Sequence, residues 1–97
     1  MRLSDAEIGE HLRELPGWSR RGEALEKQLT FASFPDAIAF VTRLAFRAEA
    51  VDHHPDLSIN YRRVTVGYST HSEGGVTLKD IEGARHAEEL AARWTTS

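Results

Sequence analysis

Three helix-start signals divide this chain, and the stretches between them have room only for short strands. Ser4-Asp5-Ala6-Glu7, Ser33-Phe34-Pro35-Asp36 and Thr77-Leu78-Lys79-Asp80 each place a hydroxyl residue three positions before an acid. At that spacing the hydroxyl accepts from a first-turn N–H while the acid reaches back to the cap, so two otherwise orphaned donors are satisfied. Behind the first signal, Ile8, Leu12 and Leu15 keep one apolar face until Pro16-Gly17 ends the run, and Leu3 and Ile8 can close a hydrophobic staple. Behind the second, Ile38, Val41, Ala45 and Ala48 form a stripe, widened by Phe34, Phe40 and Leu44, that Pro55 stops. Behind the third, Leu78, Ile81, Ala84, Ala87 or Ala91, and Trp94 support a closing helix.

Between the signals the pattern changes to alternation. Leu25, Leu29 and Phe31 fall on one side of a strand, with Glu26, Gln28 and Thr30 on the other, and Trp18-Ser19 precedes it across a turn at Arg20-Arg21-Gly22-Glu23. After Pro55 one alternating run carries Leu57, Ile59 and Tyr61, and a second carries Val64, Val66, Tyr68 and Thr70. The change of phase puts a turn near Tyr61-Arg62. The order is α-β-β-α-β-β-α. Hairpins in place of crossovers predict an α+β fold, a four-stranded antiparallel sheet with three helices on one face. At 97 residues the chain has room for one such core, so residues 1–97 are read as a single domain.

Composition removes several function classes. The net charge of -3 and pI near 5.9 argue against general nucleic-acid binding, which needs a basic surface; Arg20-Arg21 and Arg62-Arg63 are isolated pairs. No apolar run reaches the roughly 18 residues of a membrane span. The start Met1-Arg2-Leu3-Ser4-Asp5-Ala6-Glu7 lacks a signal peptide's apolar centre, so a cytoplasmic location is expected. With no cysteine there is no disulfide, no thiolate nucleophile and no cysteine-type zinc site.

What remains is a cluster. Three of the five histidines, His53, His54 and His71, lie within nineteen residues, at the end of the second helix and the end of the second hairpin, with Glu49, Asp52 and Asp80 nearby. From the residues alone three readings stand. The histidines can be structural: a helix cap, a turn residue and a solvated strand end. They can hold a metal, although adjacent histidines project in different directions and none has the helical spacing of a metalloprotease pair. Or they can be general acids and bases, each oriented by a carboxylate such as Glu49 or Asp80 and worth roughly 10²–10⁴ in rate.

The run Glu49-x-x-x-His53-His54-Pro55, with Tyr61 after five residues, His71 after nine more and Asp80 after eight more, resembles the signature of the pterin-4a-carbinolamine dehydratases. Ser69-Thr70-His71 and Gly74-Gly75 fit the same pattern, and the resemblance covers the whole chain. It implies dehydration of 4a-hydroxytetrahydrobiopterin to quinonoid dihydrobiopterin by histidine acid-base catalysis, in pterin recycling, with no metal and no bound cofactor. His53, His54 and His71 would then surround the pterin, with Glu49 and Asp80 orienting histidines and with Asp52, Pro55, Ser69 and Thr70 bordering the substrate. Of the histidines, His53 and His71 are expected to move protons and His54 to position the pterin. The resemblance also implies homodimers or homotetramers, and a second role as a protein partner, since such proteins are dimerisation partners of a transcription factor. Other pterin pathways, of the folate or molybdopterin type, remain open. One departure stands out: family members often carry an aromatic shortly after the His-His-Pro run, where this chain has Leu57. A pocket wall altered there would change affinity for the pterin or the pterin used.

Overall fold

A computed structural model describes residues 1–94. Its elements are α1 (Asp5–Leu12), β1 (Ser19–Arg21), β2 (Ala24–Thr30), α2 (Phe34–Val51), β3 (Asp56–Asn60), β4 (Arg63–Tyr68) and α3 (Leu78–Ala91), with a 3₁₀ turn at His71–Glu73. The order α-β-β-α-β-β-α and the α+β class are as the sequence predicts. All strand pairs are antiparallel, in the order β1-β2-β4-β3, so β2 and β4 join the two hairpins at the centre.

Local chemistry accounts for the boundaries. Ser4 with Glu7, and Thr77 with Asp80, make complete capping boxes. Ser33 accepts from the Asp36 N–H, and Pro35 sits in the first turn, where its missing N–H costs nothing. Trp18 is buried just ahead of β1, which starts one residue later than the alternation suggests. The second hairpin turns at Tyr61-Arg62, and Tyr61 takes a left-handed φ of 57°.

The core lies between the sheet and the helices. Leu25 and Leu29 of β2 and Val64, Val66 and Tyr68 of β4 are buried on one face; Glu26 and Gln28, paired with Gly67 and Thr65, lie on the other. From α2 the buried residues are Ala37, Phe40, Leu44 and Ala48, and from α3 they include Ile81, Ala84, Ala87, Leu90 and Ala91. Two expectations are corrected here. The buried stripe of α2 is rotated by about one residue from the expected Ile38, Val41, Ala45 and Ala48: Ile38 and Ala45 are exposed, and Val41 is only half-buried. Apolar residues cover much of this helix, so its own period allows two faces, and the fit of Phe40 against Phe31 selects one, with centroids 5.1 Å apart. Leu78, expected to pack, is exposed at the first turn of α3.

Among the described residues no helix is long and apolar enough to cross a membrane. β3 forms a sheet edge. Its Leu57 and Ile59 share a face with Val66 and Val64 yet stay exposed, because the edge extends past the packed helices.

Candidate active site

Three elements end at the same place: the C-terminus of α2, the end of β4 and the N-terminus of α3. A cleft of about 400 Å3 opens there, lined by Asp52, His53, His54, Ser69, Thr70 and His71, with Ser72 and Lys79. How α2 stops decides where the histidines go. Asp52 adopts a left-handed conformation, φ 53° and ψ 44°, and the His53 N–H then reaches back to the Ala48 carbonyl at 3.1 Å. This is the six-residue closure of a helix C-terminus, usually built on glycine, which aspartate tolerates better than most residues. The turn directs His53 inward and His54 outward.

His53 is anchored from below. Its Nε2 lies 2.6 Å from Oδ1 of Asp80, whose side chain is wholly buried. The other carboxylate oxygen, Oδ2, accepts from the Thr70 hydroxyl at 2.8 Å and from the Thr77 N–H at 2.9 Å, and the Thr70 and Thr77 hydroxyls are 2.8 Å apart. A buried carboxylate is tolerated when its acceptor sites are filled like this. One residue thus caps α3 and sets the plane and tautomer of an imidazole twenty-seven positions earlier in the chain. With Nε2–H donated to Asp80, Nδ1 is the nitrogen left to exchange a proton with a ligand.

The back of His53 is covered by Tyr68, stacked at 5.9 Å between centroids with 20° between planes. Tyr68 in turn lies against the backbone of α3 at Gly83, where a Cβ would fall 2.6 Å from the tyrosine ring. Glycine in mid-helix costs about 1 kcal/mol relative to alanine, and here that cost admits the ring. Burial pushes the Tyr68 phenol up to about 12.

His54 has a different setting. Its Nε2 is 2.9 Å from Oε1 of Glu49, and both side chains are largely in water. His71 opens the 3₁₀ turn, is exposed, and has no carboxylate partner among the described residues. The turn closes on Gly74 at φ 72°, a conformation that favours glycine.

Of the other expected residues, Asp52, Ser69 and Thr70 are in the cleft wall. The Thr70 hydroxyl is committed to Asp80 and Thr77, and the Ser69 hydroxyl donates to the Glu23 carbonyl at 2.7 Å. Pro55 ends α2 and starts β3 without lining the cleft; Glu49 stands behind His54; Leu57 is also outside the lining. Tyr61 is at the far end of the β3–β4 hairpin, 66% exposed, and takes no part. Sequence reasoning missed Lys79, Ser72 and Tyr68. Lys79 and Ser72 adjoin Asp80 and His71 and could have been found from that adjacency; nothing local marks Tyr68. Among the described residues no three histidines, aspartates or glutamates are grouped so as to hold a metal ion.

Comparison with known proteins gives a consistent result. Residues 1–90 match the family model described as pterin 4 alpha carbinolamine dehydratase. A protein of Roseiflexus sp. (strain RS-1), provisionally named a pterin-4-alpha-carbinolamine dehydratase, is 51% identical over 92% of this chain and 96% of its own. The crystal structure of a transcriptional coactivator/pterin dehydratase from Brucella melitensis is 41% identical, with a TM-score of 0.91, covering 94% of this chain and 99% of that one. A pterin dehydratase-like protein identified as a RuBisCO assembly factor in the alpha-carboxysome shares the fold alone, at 21% identity and a TM-score of 0.63 over 76% of this chain and 86% of its own. This chain belongs to the pterin 4 alpha carbinolamine dehydratase family.

Proposed function

We propose that the protein dehydrates 4a-hydroxytetrahydrobiopterin to quinonoid dihydrobiopterin, and that the chemistry rests on the anchored His53. The observation that carries this reading is the His53–Asp80 bond of 2.6 Å at the floor of a cleft that His54 and His71 also line. In the reaction the C4a–O bond breaks, the N5 lone pair forms C4a=N5, the hydroxyl leaves as water with a proton from an acid, and the N5 proton passes to a base. His53 suits the base: Asp80 holds its Nε2–H, so Nδ1 carries the lone pair, and the resulting imidazolium stays beside a buried carboxylate. His71, on a solvated turn, suits the acid, because water can restore its proton after each cycle. His54 and Asp52 would position the pterin.

The test is to generate the 4a-hydroxypterin in situ and follow its ultraviolet decay. Wild type is expected to accelerate the decay, with His53→Ala and His71→Ala each slower by roughly 10²–10⁴. Decay no faster with wild type than in buffer would sink the reading.

The exposed apolar residues Phe34, Ile38, Phe46 and Val51 of α2, with Leu57 and Ile59 of β3, support a homodimer or homotetramer. Light scattering at micromolar concentration is expected to give a mass at least twice 10.9 kDa.

A further inference from the structure

The turn that carries His71 has two roots, and different parts of the chain hold them. At its base Thr70 and Gly75 pair across an isolated bridge, with the Thr70 N–H 3.0 Å from the Gly75 carbonyl and the return bond at 3.3 Å. Thr70 is fixed from inside, because its hydroxyl donates to Asp80, the carboxylate that also anchors His53. The other root, Gly74-Gly75, is held from outside by Arg2 and Leu3.

This grip follows from how α1 starts. Leu3 stands just before the Ser4 cap, is half-buried against the core, and donates its N–H to the carbonyl of buried Val76 at 2.8 Å. An apolar residue at that position fixes the direction from which the chain enters its helix. With Leu3 docked on Val76, Arg2 falls alongside Gly75. Its aliphatic stem covers the glycine so closely that a Cβ there would lie 2.8 Å from Cδ and 3.4 Å from Cγ of Arg2. Among the described residues that Cβ would meet nothing else within 4 Å beyond its chain neighbours. Gly75 is buried although it lies in a surface loop, and Nη1 of Arg2 continues to the Gly74 carbonyl, 3.3 Å away. A long stem laid over backbone with its head on a carbonyl restrains by packing as well as by charge.

His71 is exposed, and its place depends on the backbone beneath it. Within the turn the Gly74 N–H donates to the His71 carbonyl at 3.1 Å, so a shift of Gly74 carries His71 with it. Misplacing a reacting group by about 1 Å can cost roughly 10² in rate. We propose that Arg2 is a positioning residue for His71: docked through Leu3, it clasps the outer root of the turn while Asp80 holds the inner one, and so sets where the acid stands relative to His53. The proposal rests on the dehydratase reading and adds to it a residue outside the cleft.

Two measurements test it, one of which needs no turnover. Exchange of the Glu73 and Gly74 amides with water, followed by NMR, is expected to quicken at least about tenfold in Arg2→Ala and in Gly75→Ala, whose methyl pushes the stem away, and to stay near wild type in Arg2→Lys. In the decay assay both alanine variants should lower kcat by about tenfold, with KM within about twofold and unfolding midpoints unmoved, and Arg2→Lys should recover most of the rate. Because the methyl meets only Arg2 among the described residues, the double variant should be slower than the worse single one by no more than about twofold. Unchanged exchange in Arg2→Ala overturns the clasp whatever the activity. Faster exchange with unaltered kcat overturns its role in positioning the acid, as do losses that multiply in the double variant. An inactive wild type overturns the dehydratase reading, and the purpose of the clasp with it, whereas failure of the clasp alone leaves wild-type turnover intact.

Discussion

His53 and His54 are neighbours in the chain and each has a carboxylate at its Nε2, but only one pair is shielded from water. In the His53–Asp80 pair the side chains are 13% and 0% exposed; in the His54–Glu49 pair they are 55% and 82% exposed. The same hydrogen bond therefore does different things. In water a pair of this kind is loose and screened, and contributes between about 0 and 1 kcal/mol. Under Tyr68, with Thr70 and Thr77 filling the second carboxylate oxygen, the geometry is held by three further contacts. Two histidines adjacent in the chain are thereby separated into one fixed group and one adjustable group.

The largest effect is expected from breaking the buried pair. Asp80→Ala leaves the Thr70 hydroxyl, the Thr77 N–H and His53 Nε2 without an acceptor, and denaturant unfolding should show a loss of about 3 kcal/mol together with abolished turnover. Asp80→Asn separates the two losses. Its amide oxygen can keep Thr70 and Thr77, while its NH2 faces His53 and moves the ring proton to Nδ1. Stability should then change little, while the rate falls by roughly 10² or more, and the nitrogen shifts of His53 should report the altered tautomer. An Asp80→Asn enzyme with full activity would remove the fixed tautomer from the mechanism. A direct contrast follows: His53→Gln should lower kcat by roughly 10²–10⁴, whereas His54→Gln should raise KM by less than about tenfold and leave kcat nearly unchanged.

Half of this contrast was legible in the sequence. Asp80 could be read both as the acid of a capping box and as a histidine partner, because the capping rule is local and Thr77 sits three residues ahead. Strand alternation, hairpin order and the turn at Tyr61-Arg62 were legible for the same reason. What escaped depends on distant contacts. Which carboxylate pairs with which histidine follows from the left-handed turn at Asp52, and no rule of spacing predicts that for aspartate. The buried side of α2 depends on where Phe31 lies, and the exposure of Leu57 and Ile59 depends on β3 being the edge strand. The stacking of Tyr68 on His53 needs β4 and α3 in register with Gly83, fifteen residues later in the chain.

Tyr68 offers a way to sharpen the comparison through pH, since it covers His53 and makes no ring contact with His54 among the described residues. Its folded pKa of about 12 lies above the ordinary value of 10.0. The unfolded chain therefore loses this proton first. The associated stability is fully present below pH 10 and is lost as pH rises toward 12. Tyr68→Phe should carry the alkaline unfolding transition to higher pH, while His53 keeps its stacked ring and its bond to Asp80. His86 works in the opposite sense: its pKa is lowered on folding, so its protonation opposes the fold as pH falls below the usual histidine range. His86→Gln should therefore flatten the decline in stability on acidification, read from denaturant midpoints between neutral and mildly acid pH.

The smallest effect is expected from the exposed pair. Glu49 is 82% exposed, and its single contact to His54 competes with water on every side. Glu49→Gln keeps the side chain's length and an acceptor oxygen, and removes only the charge. Unfolding should move by less than about 0.5 kcal/mol, and added salt should erase the difference. If His54 only positions substrate, a looser ring costs some affinity and no chemistry, so KM should rise by less than about threefold with kcat unchanged. A fall in kcat approaching that of Asp80→Asn would reverse the assignment. The exposed histidine would then be moving a proton, and the buried pair would be a structural anchor beside it.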